Sequence, residues 1–283
     1  MHRQRLTITL KKDLLTQVDK KIDGVRIRNR SHAIEYLLTK SIGSKISQAF
    51  ILAGGKGLKM RPFTYEMPKS MIPIADRPIL EYIIELLRNH GIKNIFIGVD
   101  YLSKKIKEYF GDGSKFGVSI KYIDNKTPLG TGGALKSAKN YLEDADFLLI
   151  NGDLLVDIDI VDMIEFAEEE KAIITMALTS IDDPSLYGSV RLRGAQVVEF
   201  FEKPVANHHV SRLINAGVYV MSKKIFQHLP NKKIFSLEKD VIPELIQSRN
   251  VSGYHFAGYW YDISTPEIYG RAVKDWKNRK ILH

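Results

Sequence analysis

The chain has 283 residues, 44% of them hydrophobic, enough for one large domain or two smaller ones with a sizeable core, which excludes a globally disordered chain. It contains no cysteine, which excludes disulfides, thiolate chemistry and cysteine-ligated zinc or iron–sulfur centres. The net charge of +9 is uneven: residues 1–47 hold 11 Lys/Arg against 4 Asp/Glu, so a polyanion partner is expected for that basic block and not for the near-neutral remainder. No apolar run of about 18 residues appears, and the basic N-terminus lacks the apolar stretch of a signal peptide. The chain therefore reads as soluble and cytoplasmic, with no membrane partner.

In chain order, Arg5-Leu6-Thr7-Ile8-Thr9-Leu10 alternates polar and apolar residues, the period of a half-buried strand. A helix is predicted from about Lys12 to Ile22, with Gly24 as its stop, and a second from an Asn29 or Ser31 cap to about Ser41. Residues 42–47 read as a linker, dividing the chain into a small domain at 1–44 and a larger one at 48–283. From there short apolar runs alternate with helical stretches. Strands are predicted at Ala49–Ala53, Ile95–Val99, Val118–Ile123 and Phe147–Ile150, with helices at Ile79–His90, Ser103–Phe110 and Thr131–Tyr141. That rhythm predicts an α/β domain whose sheet is largely parallel and covered by helices on both faces. Later strands are predicted at Ala172–Thr179, Ser189–Leu192, Val197–Glu202 and Ile214–Val220.

The first of these strands runs into Gly54-Gly55-Lys56-Gly57, three glycines within four residues, followed by Lys59 and Arg61. Glycines let main-chain N–H groups approach phosphate oxygens, and the basic side chains supply counter-charge. The carboxyl end of a strand in an open α/β sheet is also where such ligands bind. The spacing fits neither the Walker pattern nor the dinucleotide fingerprint. Taken alone, the turn is equally compatible with a plain tight turn.

Six blocks follow one another in order: the glycine loop with Arg61-Pro62-Phe63-Thr64, Pro68-Lys69-Ser70-Met71-Ile72-Pro73 and Arg77-Pro78; Pro128-Leu129-Gly130-Thr131-Gly132-Gly133; Asn151-Gly152-Asp153; Phe201-Glu202-Lys203-Pro204; Asn215-Ala216-Gly217; and Trp260-Tyr261-Asp262. Together they resemble the sugar-1-phosphate nucleotidyltransferases, most closely the mannose-1-phosphate guanylyltransferases. The resemblance implies a Rossmann-like domain with a mixed central sheet, and a reaction in which a sugar 1-phosphate attacks the α-phosphorus of a nucleoside triphosphate. It implies Asp153 and Asp262 as ligands of Mg²⁺, which suits hard oxygen donors, and Lys69 as the counter-charge to the α-phosphate. Leu52, Ala53, Gly54, Gly55, Lys56, Gly57, Gly130 and Thr131 would hold the nucleotide. Gly152, Glu202, Lys203, Asn215 and Gly217 would hold the sugar phosphate, with Tyr187-Gly188 beside them.

One position departs from the family pattern. Lys59 stands where the family carries a catalytic arginine, keeping the charge but not the two-pronged geometry. One lost hydrogen bond to a charged group is worth about 1.5–3 kcal/mol. The departure leaves open a sugar-nucleotide-sensing regulator with a weakened enzyme domain; an acceptor such as phosphocholine is a third reading.

The N-terminal segment resembles a ribbon-helix-helix domain of the Arc repressor type. That resemblance implies a homodimer whose paired strands enter a DNA groove, with Arg5, Thr7 and Thr9 facing bases and Asn29, Arg30 and Ser31 gripping phosphate.

Overall fold

The computed structural model describes residues 5–24, 27–42, 45–142, 144–203 and 211–278. Pro204 of the fourth block, and Gly43 and Ser44 of the predicted linker, lie outside them. The strands are β1 (Gln48–Leu52), the short β2 (Pro73–Ile74) and β3 (Arg77–Pro78), β4 (Asn94–Val99), β5 (Ser119–Asp124), β6 (Phe147–Asn151), β7 (Leu154–Val156), β8 (Ile174–Ser180), β9 (Gly188–Arg193), β10 (Gln196–Glu202), β11 (Leu213–Met221), β12 (Val251–His255) and β13 (Trp260–Asp262).

Nine of them form one sheet in the order β5-β4-β1-β6-β11-β8-β12-β10-β9. Its first four strands run parallel, as the alternating rhythm predicted. β11 then enters antiparallel between β6 and β8, and β9 and β10 form an antiparallel pair at the far edge. The sheet is therefore mixed rather than largely parallel. Connections too short for a crossover helix join β8, β9, β10 and β11, which pair antiparallel, while the helical segment between β11 and β12 lets β12 return parallel to β8.

Alternate residues of each central strand face opposite sides. Ile51, Ile95 and Ile97 point into a core shared with Leu80, Ile83, Ile84 and Leu87 of the helix Ile79–Asn89. Phe50, Phe96 and Leu149 point into a second core with Leu135, Tyr219 and Leu237. A third, smaller core joins Met60, Ile72, Ile74, Tyr82, Leu155, Ile263 and Trp276. It ties the turn that carries Lys69 to β7 and β13.

The predicted helix Thr131–Tyr141 is interrupted: Gly130–Ser137 is followed by a separate turn, Lys139–Leu142. The helix Ile160–Glu170 was not predicted, because its run of Asp and Glu obscures the apolar face formed by Ile160, Val161, Met163 and Ile164.

In the arm, helices span Lys12–Asp19 and Arg30–Ile42, the first shorter than predicted. Val18 and Ala33 are buried. Asn29 accepts a hydrogen bond from the His32 N–H (3.0 Å), the capping geometry expected of it. Arg5–Leu10 pairs with no strand of this chain among the described residues; the resemblance has that strand pair with a second copy. The arm meets the larger domain where the Tyr36 hydroxyl donates to Asp159 (3.0 Å) and Lys45 pairs with Glu168 (2.5 Å). Among the described residues no helix is long and apolar enough to cross a membrane.

Gly130 has φ +73°, and a Cβ there would lie 2.4 Å from the Phe235 carbonyl oxygen. Gly130→Ala should therefore cost about 2 kcal/mol or more in urea unfolding; a loss under about 0.5 kcal/mol would show that the contact relaxes freely.

Candidate active site

β1, β4 and β6 end side by side, and their carboxyl-terminal turns build one wall of the site. Gly152 lets the β1 and β6 ends close in: its N–H donates to the Leu52 carbonyl (2.9 Å), and a Cβ would meet that oxygen and the Ala53 Cα. The Ala53 N–H donates to the Gly98 carbonyl (3.0 Å). The Gly55 N–H donates to the Asp100 carboxylate (2.6 Å), which also accepts from the Tyr101 N–H. Asp100 thus clamps the glycine loop from the end of β4. Sequence reading passed over it because a single Asp after a strand usually marks a turn. Gly57 adopts a left-handed conformation, and the exposed Lys59 follows it in a short 3-10 turn.

The carboxylates come together by strand pairing. β7 and β13 are antiparallel with Asp262 opposite Leu154, and the Ile263 N–H donates to the Asp153 carbonyl (3.0 Å). More than a hundred residues of sequence separate the two side chains that this ladder makes neighbours. Lys69 bridges them, in ion-pair contact with Asp153 and 3.8 Å from Asp262. Burial and the adjacent Asp153 push the Asp262 carboxyl up to about 7, while Lys69, Lys203 and Lys59 pull the other way. Burial disfavours the Lys69 charge, but the two carboxylates outweigh it and raise its pKa. The buried Asp262 Oδ1 has no hydrogen-bond partner. An acceptor left so in a well-packed site suits a cation, and Asp153 and Asp262 together offer the hard oxygen donors that Mg²⁺ prefers.

The opposite wall begins at Lys203, whose N–H donates to the Tyr187 carbonyl (3.1 Å) and whose ammonium lies 3.6 Å from Glu202. Burial, then Asp262, pushes the Tyr187 phenol up to about 12. The Tyr187 ring meets Trp260 edge to face, and the Trp260 indole N–H donates to the Ala216 carbonyl (2.9 Å). That carbonyl lies in a bulge of β11 between Asn215 and Tyr219, where Gly217 has φ +74°. The Asn215 side chain spans the bulge, accepting from the Gly217 N–H (3.0 Å) and donating to the Tyr219 hydroxyl (2.6 Å).

Gly130 and Thr131 open their helix against the segment 233–238, not into open space. The Phe235 carbonyl accepts from the Gly132 and Gly133 N–H groups (3.1 and 3.2 Å). The Thr131 hydroxyl donates to Glu238 (2.5 Å) and accepts from the Leu237 N–H (2.9 Å). Glu238 had no motif to announce it: the π-helical turn Leu237–Val241 that carries it breaks the helical period. Of the residues expected to meet DNA, Arg5, Thr7, Thr9, Asn29 and Ser31 are exposed. Arg30 forms a two-pronged ion pair with Asp19 (2.6 and 2.8 Å).

An unfolded aspartate titrates near 4. With its folded pKa raised to about 7, Asp262 contributes stability that is complete below about pH 4 and is lost as pH rises through 7. Lys69 titrates in the alkaline range, outside that window. Asp262→Asn should therefore gain on the wild type in melting temperature between about pH 4 and 7 in chelator-treated protein. A difference independent of pH would show that the carboxylate carries no such penalty.

The Nucleotidyl transferase family matches residues 48–279. The mannose-1-phosphate guanylyltransferase of Mycobacterium tuberculosis is 33% identical over 230 residues, which cover 80% of this chain and 64% of that protein. The chain thus spans about two thirds of that relative's length. The D-glycero-alpha-D-manno-heptose 1-phosphate guanylyltransferase of Aneurinibacillus thermoaerophilus is 35% identical over 228 residues, covering 81% of this chain and 97% of that one. Among solved structures, HddC from Yersinia pseudotuberculosis superposes with a TM-score of 0.70 at 29% identity, over 82% of this chain and all of that one. With the glycine loop, the bridged carboxylates and the bulged β11 arranged on this sheet, the chain belongs to the Nucleotidyl transferase family.

Proposed function

We propose that the chain transfers a nucleotidyl group from a nucleoside triphosphate to a sugar 1-phosphate, releasing pyrophosphate, with GTP and mannose 1-phosphate as the favoured pair. The observation that carries this reading is the half-buried Asp153–Lys69–Asp262 cluster at the mouth of the glycine loop. The guanylyltransferase relatives, matched over most of this chain, support the choice of nucleotide. A phosphate oxygen of the sugar phosphate attacks the α-phosphorus, a new P–O bond forms, and the bond to the pyrophosphate breaks. Such a transfer needs positioning and charge neutralisation more than covalent chemistry.

Asp153 and Asp262 would hold Mg²⁺, which when bound supplies positive charge to the phosphates. Lys69 holds its ammonium between the same carboxylates and would neutralise the α-phosphate. Lys203 would hold the phosphate of the sugar and Lys59 the departing pyrophosphate, while Glu202 and Asn215 accept and donate hydrogen bonds at the sugar ring. With the amides of Ala53 and Gly55 already committed to Gly98 and Asp100, the nucleotide would meet the remaining amides of the loop and the side chains of Lys56 and Lys59.

A panel of GTP, dTTP, UTP, CTP and ATP against mannose and glucose 1-phosphates with Mg²⁺ tests the reading by pyrophosphate release. Asp153→Ala should lose about 10²–10³-fold in kcat. Lys59→Arg, which restores the guanidinium fork, should gain roughly tenfold. Silence of the whole panel with nucleotide sugar still bound would favour the sensor reading.

A second activity is proposed for the arm: homodimerisation and DNA binding as a ribbon-helix-helix unit. The observation in its favour is that Leu6 and Ile8 are 77% and 46% exposed on a segment whose backbone makes no ladder. Apolar side chains on an unpaired extended segment are what a second copy would cover. Sedimentation should find a dimer that Ile8→Asp dissociates, with DNA affinity falling steeply as salt rises. A monomeric wild type would end this reading.

A further inference from the structure

Most of the glycine loop makes no main-chain hydrogen bond of its own. Among the described residues the amides of Gly54, Lys56, Gly57, Leu58 and Lys59 donate to no protein group. Open amides in a row suit an anion. A run with three glycines is also the costliest kind of segment to order, because glycine loses the most conformational freedom when it is fixed. Unless something holds the loop in shape beforehand, that cost falls on the binding of the nucleotide.

The one tied amide between Gly54 and Lys59 is tied to Asp100. This residue follows β4, the neighbour of β1 in the sheet, so it stands beside the turn that leaves β1. Its Oδ1 accepts from the Gly55 N–H (2.6 Å), where φ is +102°, and from the Tyr101 N–H. No cation pairs with this carboxylate among the described residues, so the two amides are what hold it. Gly54 is fitted to the same contact. A Cβ there would lie 2.9 Å from Oδ2 and 3.2 Å from Oδ1 of Asp100, so only glycine leaves room for the carboxylate without a shift. Two further bonds hold the far end of the loop: the Thr64 hydroxyl donates to the Gly57 carbonyl (2.8 Å), and the Tyr101 hydroxyl reaches the Tyr65 carbonyl (3.4 Å). The loop is thus pinned at Gly55 and Gly57 with its other amides left open.

Two effects of Asp100 on a nucleotide oppose each other. The charge-assisted bond to Gly55 orders the loop, which is worth about ten- to a hundredfold in an equilibrium. The carboxylate also repels phosphate, but it is half-buried and the exposed Lys56 and Lys59 follow it in the loop, so a screened interaction of about fivefold or less is expected. Ordering wins.

Resting on the transfer proposed above, we propose that Asp100 is a positioning residue for the nucleoside triphosphate. Its carboxylate fixes the Gly54–Gly55 turn, so the open amides of the loop meet the phosphates without reordering. Gly54 is the residue that makes room for it. Asp100 touches none of the reacting groups and acts only through the loop.

Calorimetric titration of GTP, UTP and dTTP with Mg²⁺ compares the wild type, Asp100→Asn and Asp100→Ala. For the nucleotide that the wild type binds most tightly, Asp100→Ala should weaken affinity about ten- to a hundredfold, while Asp100→Asn, which keeps an acceptor oxygen, should stay within about fivefold of the wild type. In pyrophosphate release the loss should sit in KM for the nucleotide. The kcat at saturation should stay within about threefold and KM for the sugar phosphate should not move, a split that general loosening of the fold would not give. Gly54→Ala should weaken nucleotide binding in the wild type and do so far less in the Asp100→Ala background. Unchanged or tighter binding in a folded Asp100→Ala overturns the proposal, as does a loss shared with kcat and the sugar phosphate KM. A cost of Gly54→Ala that is the same in both backgrounds overturns the role given to Gly54.

If nucleotide binds but no acceptor turns over, the transfer reading fails and the affinities still decide Asp100. A wild type that binds no nucleotide overturns both. Should neither Asp100 variant fold, amide exchange in the free wild type decides. The Gly55 N–H should exchange at least about tenfold more slowly than those of Lys56 and Gly57, and equal rates overturn the proposal.

Discussion

The arrangement of this protein turns on one costly contact: two aspartates, Asp153 and Asp262, held together half-buried with a single lysine between them. Removing a carboxylate from water is expensive, and placing a second beside it adds repulsion that one ammonium offsets only in part. The raised pKa of Asp262 and its Oδ1, which accepts no hydrogen bond, are the local signs of that imbalance. The fold holds the pair by means that do not involve charge. The β7–β13 ladder fixes the backbones, and Leu155 and Ile263, neighbours in sequence of the strands' functional ends, are fully buried in the third core with Met60 and Ile72. Hydrophobic burial thus stabilises an electrostatic arrangement that would otherwise spread apart.

The rest of the site follows from how backbone approaches that pair. Gly152 lets β1 and β6 end in contact, bringing the glycine loop to the carboxylates. Gly217 serves the bulge of β11 in the same way: a Cβ there would press on the Asn151 amide, and its positive φ turns Asn215 back across the bulge. The carbonyl released by the bulge is not left unpaired, because Trp260 donates to it from β13. One irregularity therefore joins the strand carrying Asn215 to the strand carrying Asp262. Substitution at Trp260 would act on both walls, through a hydrogen bond and not through any contact with substrate.

Legibility in the sequence divided along physical lines. The parallel half of the sheet was readable, since β1, β4 and β6 are short, apolar but for a terminal Gln48, Asn94 or Asn151, and followed by turn chemistry. The motif residues Lys69, Asp153, Glu202, Lys203 and Asp262 were readable by resemblance; the structure brings Lys69, Asp153 and Asp262 into one cluster and sets Lys203 beside Glu202. What composition could not supply was the meeting of Asp153 with Asp262, because strand pairing across so long a separation leaves no periodic trace. β7 and β13 are only three residues each and carry no alternation to detect. Asp100 and Glu238 escaped for another reason. Each acts by holding something else, a loop amide or a threonine hydroxyl, and such roles are set by distance rather than by residue type. The helix opening at Gly130 was expected to meet the nucleotide, and only the structure shows the carbonyl of Phe235 already on the Gly132 and Gly133 amides.

The relation of the arm to the larger domain rests on few contacts, and their strengths can be ranked. The Lys45–Glu168 pair is exposed on the lysine side and contributes little, about 0–1 kcal/mol. The Tyr36–Asp159 hydrogen bond is partly buried, and Asp159 is also the cap of the helix Ile160–Glu170, accepting from the Val161 and Asp162 N–H groups. Ile46, 5% exposed and packed in the first core, is the firmest attachment. The arm is therefore anchored at its carboxyl end and only lightly held along its second helix. Its own interior is small, with Val18 and Ala33 buried while Leu6, Ile8, Leu14 and Leu38 stay exposed. A unit of this size cannot balance the conformational entropy of its residues with so little burial. The apolar residues it leaves uncovered are the surface that the dimerisation proposed above would bury.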